Sequence, residues 1–265
     1  MKLEVLICTM EDRLGRIAQM FLPPDGDIRY LVSCQYAHQE PEVPDALRQR
    51  TDVRVLFLKG NGLSHNRNNA LQHAINEILL IADDDCLLYA DGLHGILKTY
   101  REHPEVDVAL FRVDGMSKFY PAQDFRFTKQ DFLGAYCTAS VEMTMRRSSL
   151  RGLSFNPHFG LGSEYLAAGE EQVFLHDALR EGLHVHWFPL TIGRTPPGTT
   201  GERFLDDVRV QRSKGATFCY LLGPRRACWK CIRESIHHFV YHHSNPFVLM
   251  QHMNDGIRYA KSLRK

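Results

Sequence analysis

The sequence predicts an α/β fold: a mostly parallel, Rossmann-like sheet flanked by helices, with a helical C-terminal extension. Three observations predict it. Short, continuously apolar runs alternate with amphipathic stretches through the first half, and strands that are apolar on both faces belong to sheets covered on both sides. One of these runs ends in Asp83-Asp84-Asp85, at the strand end where open sheets bind ligands. Beyond residue 200 the strand signal gives way to helical periodicity.

The elements follow in order. Leu3 to Thr9 reads as a buried strand, and Glu11 to Phe21 as a helix stopped by Pro23-Pro24. Arg29 to Cys34 and Val53 to Leu58 are strands, with a helical or irregular Pro41 to Arg50 between them. Ser64 to Ile75 carries helical spacing at Ala70, Leu71, Ala74 and Ile75. Ile78 to Ala82 is a strand, Asp91 to Arg101 a helix and Val106 to Arg112 a strand. Val141 to Arg147, helical Glu170 to Glu181 and His184 to Leu190 complete this part. Gly193 to Gly201 reads as a mobile loop. Helices are expected over Glu202 to Ser213, Arg226 to His243 and Pro246 to Ser262. The domain expectation is a catalytic unit over 1–200 and a basic, aromatic-rich helical extension over 201–265.

With 265 residues, 44% hydrophobic and 24% charged, the chain supports a sizeable core. Its net charge of +1 hides an asymmetry: from Lys214 onward, nine Lys/Arg face only Glu234 and Asp255. A basic tail attracts anionic surfaces, although a solvated helix face is the plainer reading. The seven cysteines are an odd number, which suits reduced thiols in the cytoplasm. Cys228 and Cys231 form a lone CxxC without a second pair, against a structural zinc. The N-terminus shows no secretory leader, and no apolar stretch is long enough to span a bilayer. The expected location is the cytoplasm, with peripheral contact at the inner face of the membrane.

Three segments carry chemistry. Adjacent carboxylates at Asp83, Asp84 and Asp85 repel one another, and a hard divalent cation such as magnesium or manganese relieves the conflict. Alternation along an extended chain puts Asp83 and Asp85 on one side and Asp84 on the other. The simpler alternative is a surface turn. Gly62-Leu63-Ser64-His65-Asn66-Arg67-Asn68-Asn69 enters a helix, whose first amides and Arg67 suit a phosphate. The simpler alternative is Ser64 as a cap, with the asparagines in solvent. Gly169-Glu170-Glu171 opens another helix, as a dipole-favoured acidic turn or as a general base.

In this order and spacing, the segments resemble the family-2 glycosyltransferases, inverting enzymes of the A-type nucleotide-sugar fold. Leu6 to Met10 resembles that family's first strand and donor turn, and Gly62 to Leu71 its Arg-Asn loop. Asp83-Asp84-Asp85 resembles its acidic metal motif. Met143 to Leu150, Phe155-Asn156 and Phe159 to Gly162 resemble the stretch before the acceptor site, and Gly169-Glu170-Glu171 its base motif. The resemblance runs from residue 3 to about 200.

It implies that Thr9 and Arg67 border the nucleotide, with Asp83 and Asp84 at the donor. Asp85, with Asp83, would bind Mn2+ or Mg2+. Glu171 would be the base, with Glu170 beside it. Two positions depart from the family. Glu171 stands where Asp is usual, and the histidine expected near Thr195 is absent, leaving Arg194 or His186 as a substitute.

The expected activity is a metal-dependent hexosyl transfer, with inversion, from a UDP-linked sugar to a glycan or lipid-linked hydroxyl in cell-surface polysaccharide synthesis. A sugar-phosphate nucleotidyltransferase is the alternative enzyme, but Thr9 to Arg16 holds only one glycine where such enzymes carry a glycine-rich loop. A catalytically degenerate nucleotide- or glycan-binding member is the other alternative. No nucleic-acid recognition motif is present.

Overall fold

The computed structural model describes residues 1–128, 131, 138–198 and 200–263. A nine-stranded mixed sheet forms its centre. The strands are β1 (Leu3–Met10), β2 (Ile28–Tyr36), β3 (Val53–Lys59), β4 (Ile78–Asp83), β5 (Leu87–Leu88), β6 (Val108–Asp114), β7 (Phe125–Arg126), β8 (Met143–Arg146) and β9 (Val185–Arg194). The helices are α1 (Asp45–Arg48), α2 (Leu63–His73), α3 (Ala90–Glu102), α4 (Glu170–Arg180), α5 (Val208–Leu222), α6 (Pro224–His242) and α7 (Pro246–Ser262).

Strand order is β3-β2-β1-β4-β8-β6-β9-β5, with β7 also on β9. β1 to β4 run parallel, and β8 enters antiparallel between β4 and β6. β6 and β9 are parallel again. The carboxyl ends of β1, β4, β6 and β9 therefore share one rim of the sheet. The expected α/β fold with a mostly parallel sheet flanked by helices is what forms.

The strands are apolar on both faces because both faces are covered. Leu3, Val5 and Ile7 enter one apolar cluster with Leu93, Ile96 and Tyr100 of α3. Leu6 and Cys8 enter a second with Ala70 of α2 and Phe174 and Ala178 of α4.

Several elements differ from expectation. The helix expected over Glu11 to Phe21 is a 3-10 helix at Leu14–Met20 whose buried residues are Leu14, Ile17 and Met20. That spacing of three is the 3-10 period, not the α period. The strand expected from Val141 is preceded by a 3-10 turn at Ser140–Glu142. The loop expected from Gly193 begins later: Gly193 and Arg194 finish β9, held by pairing to both β5 and β6. Thr199 of that loop lies outside the described residues. The helix expected from Glu202 is a 3-10 turn at Thr200–Leu205 followed by α5, which Asp207 caps by accepting from the Arg209 amide.

α5, α6 and α7 pack into a third apolar cluster, joined by Phe159, Leu166 and Val173 from the sheet side. α5 and α7 cross at backbone contact. A Cβ at Gly215 would lie 1.9 Å from the Met253 carbonyl oxygen, and one at Gly256 would lie 1.9 Å from that of Arg212. Only glycine permits such an approach. Gly223 precedes α6, with Pro224 in its first turn, and the Asn245 side chain caps α7.

Candidate active site

The site is built at the rim where β1 and β4 end. Their register pairs Cys8 with Asp83, which brings Thr9 beside the acidic run. The Thr9 hydroxyl donates to Asp84 at 2.7 Å, and Arg13 in the following turn donates to the same carboxylate at 3.0 Å. Asp84 is thus tied inward to β1. Asp83 and Asp84 take different partners, and because the chain turns immediately after Asp83, strict strand alternation does not extend to Asp85.

Arg67 is the hub. Its side chain is 1% exposed, and it donates to four groups. One terminal nitrogen reaches Glu170 at 3.0 Å and Glu171 at 3.4 Å; the other reaches Asp83 at 3.3 Å and the Ser140 hydroxyl at 2.6 Å. Its guanidinium lies 5.4 Å from the centre of the Phe155 ring. Burial opposes its charge, but Glu171, Asp83 and Glu170 together outweigh that and hold the guanidinium charged. Only an arginine fork satisfies several acceptors at once in this way.

α2 delivers Arg67 on a helix of polar residues that are tied down rather than solvated. Ser64 does not cap the helix; its hydroxyl donates to the Phe159 carbonyl at 2.7 Å. Asn66 donates to the Thr9 carbonyl at 3.1 Å, and Asn69 to the Ser33 hydroxyl at 2.8 Å. Asn68 exchanges two bonds with the backbone of Phe155, at 2.8 and 2.7 Å. The expectation that the asparagines face solvent is corrected: each holds a strand or the 155–160 segment. Gly160 passes close beneath the acids, with φ +95 and space for no Cβ, since one would sit 2.9 Å from the Glu170 carboxyl carbon.

Glu170 and Glu171 occupy the first turn of α4 and converge on Arg67. Burial first, then the Glu170 carboxylate, push the Glu171 carboxyl up to about 8, against the lowering pull of Arg67. A raised carboxyl beside a fixed cation is a feature of functional sites and of structural ion-pair networks alike.

Asp85 is exposed beyond the strand and has no hydrogen-bond or ion-pair partner among the described residues. Its packed surroundings and the carboxylates of Asp83 and Asp84 raise its pKa. Among the described residues, no three His, Cys, Asp or Glu side chains are grouped to hold a metal ion by themselves. One unpaired, crowded carboxylate does fit a magnesium or manganese ion that takes its other ligands from water and phosphate. Asp83 turns its carboxylate towards Arg67.

Arg194 ends β9 opposite Leu87, two residues past Asp85, with its side chain exposed. His186 pairs with Ala109 near the other end of β9, eight residues away, or roughly 26 Å along an extended strand. The tertiary arrangement puts Arg194, not His186, on the rim.

Ser140, Arg13, the packing of Arg67 on the Phe155 ring and the fastening roles of Asn66 and Asn68 were missed from sequence. Arg13 had a visible signal, a basic residue in the turn after the first strand. Ser140 had none, because it lies 73 positions from its partner.

With the geometry in place, residues 39–159 match the family model described as glycosyl transferase family 2. Over that segment the chain is similar in sequence to that family, and its architecture is the A-type glycosyltransferase fold. Among solved structures it is similar to a fragment of TarS from S. aureus, at 18% identity and TM-score 0.58, over 91% of this chain and 72% of that one. The TarS fragment in complex with UDP-GlcNAc matches at 18% identity and TM-score 0.57, over 91% and 73% of the two chains. Of a longer TarS chain, 44% is covered. The mannosyltransferase PcManGT from Pyrobaculum calidifontis, in complex with GDP-Man and Mn2+, matches at 15% identity and TM-score 0.54, over 98% and 75%. No curated protein matches in sequence. Among the described residues, no helix is long and apolar enough to cross a membrane.

Proposed function

We propose that this protein is an inverting, metal-dependent hexosyltransferase that moves a sugar from a nucleoside diphosphate, uridine diphosphate first, to a hydroxyl of a glycan or lipid-linked acceptor in cell-surface polysaccharide synthesis. One observation carries the reading: Arg67 gathers Glu170, Glu171 and Asp83 at the sheet rim, with Asp85, two residues on, unpaired among the described residues. The similarity to structures that contain UDP-GlcNAc or GDP-Man supports the donor class.

In this reading Glu171 accepts the proton of the acceptor hydroxyl as its oxygen attacks the anomeric carbon. The bond from that carbon to the diphosphate oxygen breaks on the opposite face, which inverts the centre. Asp85 would hold a divalent cation whose charge offsets that of the diphosphate. Thr9, Asp83, Asp84 and Arg13 line the donor side, and Arg194 stands at the same rim to meet phosphate charge. Arg67 acts through the acids: it fixes where Glu171 points and keeps the Glu170 and Glu171 carboxylates compatible with burial.

The test is release of nucleoside diphosphate from a panel of nucleotide-sugars with manganese. Glu171→Gln is expected to lower turnover by about a hundredfold or more, in the range for a general base. Asp85→Ala should abolish the dependence on manganese. Full activity in both variants sinks the proposal, and donor binding without turnover by the unaltered chain would make it a binding protein. Because the Glu171 carboxyl is raised, turnover should climb with pH and level off above about 8.

A further inference from the structure

α6 turns an apolar stripe away from the protein. Its buried residues are Ala227, Cys231 and Ser235, which face α5 and α7. Trp229, Ile232, Ile236, Phe239 and Val240 recur at helical spacing on the opposite side, all exposed, with Trp229 at 71%. Phe247, at the start of α7, is 83% exposed. A contiguous apolar face of this kind on a soluble-type fold marks a contact surface.

The charges beside the stripe say what covers it. Arg225, Arg226 and Arg233 flank it, and none has an acidic partner among the described residues. The one acid of the helix, Glu234, is turned inward to Lys214 and His238. The exposed side of α6 therefore joins an apolar stripe to arginines at its start and along one flank, with no exposed acid on the helix among the described residues. A second copy packed antiparallel through the same face would bring Arg233 against its own copy near the axis and offer Arg225 and Arg226 no acid, since the helix ends in histidines. Nucleic acid would leave the aliphatic side chains uncovered. A bilayer with anionic headgroups satisfies both halves: acyl chains take Ile236 and Val240, headgroups meet the arginines, and Trp229 sits at the boundary.

We propose that α6 is an interfacial helix that lies in the surface of an anionic lipid bilayer, with Trp229, Ile232, Ile236 and Val240 inserted and Arg225, Arg226 and Arg233 on the headgroups. This docks the protein without a membrane span and needs neither donor nor turnover.

Flotation of the full chain tests it, with vesicles of phosphatidylcholine alone or with about one third phosphatidylglycerol, at low and high salt. Binding is expected only to the anionic vesicles and should weaken with salt. Tryptophan emission provides a local reading, because the chain has two tryptophans and Trp187 is fully buried. A blue shift on binding therefore reports Trp229. Ile236→Glu should abolish flotation. Arg226→Ala with Arg233→Ala should weaken it by roughly twenty-fivefold, at about fivefold per basic side chain. Both variants alter exposed positions, and an unchanged melting temperature will show that they fold.

Failure to float at low salt, equal binding to neutral vesicles, or flotation with unshifted emission each overturns the proposal. So does a dimer in solution that Ile236→Glu dissociates. Diphosphate release from a soluble donor should be the same in Ile236→Glu as in the unaltered chain, which separates this test from that of the catalytic reading.

Discussion

α2 and α6 break the same rule in opposite directions. α2 buries its polar residues, Ser64, Asn66 and Arg67, under the active-site rim. α6 exposes its apolar ones, Trp229, Ile236 and Val240. A helix that only had to be stable would do neither. Buried polar groups survive in α2 because nearly all of them find partners: strand carbonyls, the Phe155 backbone and three carboxylates. The exposed apolar groups of α6 cost the folded protein little, since their environment is similar in the unfolded chain. Departures from simple patterning fall where a protein does something besides fold.

The comparison can be broken most severely at Arg67. Arg67→Ala leaves Glu170, Glu171 and Asp83 converging with no cation between them. A loss of about 3–5 kcal/mol is expected by denaturant unfolding, together with loss of transfer. Arg67→Lys should recover part of the stability but little transfer, because an ammonium cannot fork across the acids. If Arg67→Ala unfolds like the unaltered protein, the hub is not structural.

A smaller effect is expected at Asn68. Asn68→Ala strips a carbonyl and an amide of Phe155 of their partners and should cost about 1–3 kcal/mol. A change near zero would mean that water replaces the side chain. Removing one carboxylate from the hub should act in the other direction. The Glu171 carboxyl is raised in the folded state, so its contribution is fully present below its ordinary pKa and is lost as pH climbs towards about 8. Stability should therefore fall over that interval, and Glu171→Gln should flatten the fall while removing transfer.

The smallest effect belongs to α6. Ile236→Glu in the protein alone should shift stability by no more than about 0.5 kcal/mol, as at other exposed positions. A larger loss in the melting curve would show that the stripe is covered by the protein itself, and the contrast with α2 would collapse.

Much of this protein was determined by its sequence. Unbroken apolar runs such as Ile78 to Ala82 can only be strands covered on both faces, and a strand that ends in three aspartates can only end at a wet rim. The acidic pair at Glu170-Glu171 and the acids at 83–85 were legible because each is a local pattern. What the tertiary structure decided is how these patterns meet. Asp84 turns inward to Thr9 and Arg13, Arg67 is bonded to Glu170, Glu171 and Asp83, and Arg194 rather than His186 stands at the rim. Each depends on side chains tens of residues apart, and such contacts are fixed by strand register and packing, which leave no mark on local periodicity. α6 shows the same limit from the other side: a helix was expected over Arg226 to His243, and only packing reveals that the face of Ala227 and Cys231 turns inward while that of Trp229 and Ile236 is left uncovered.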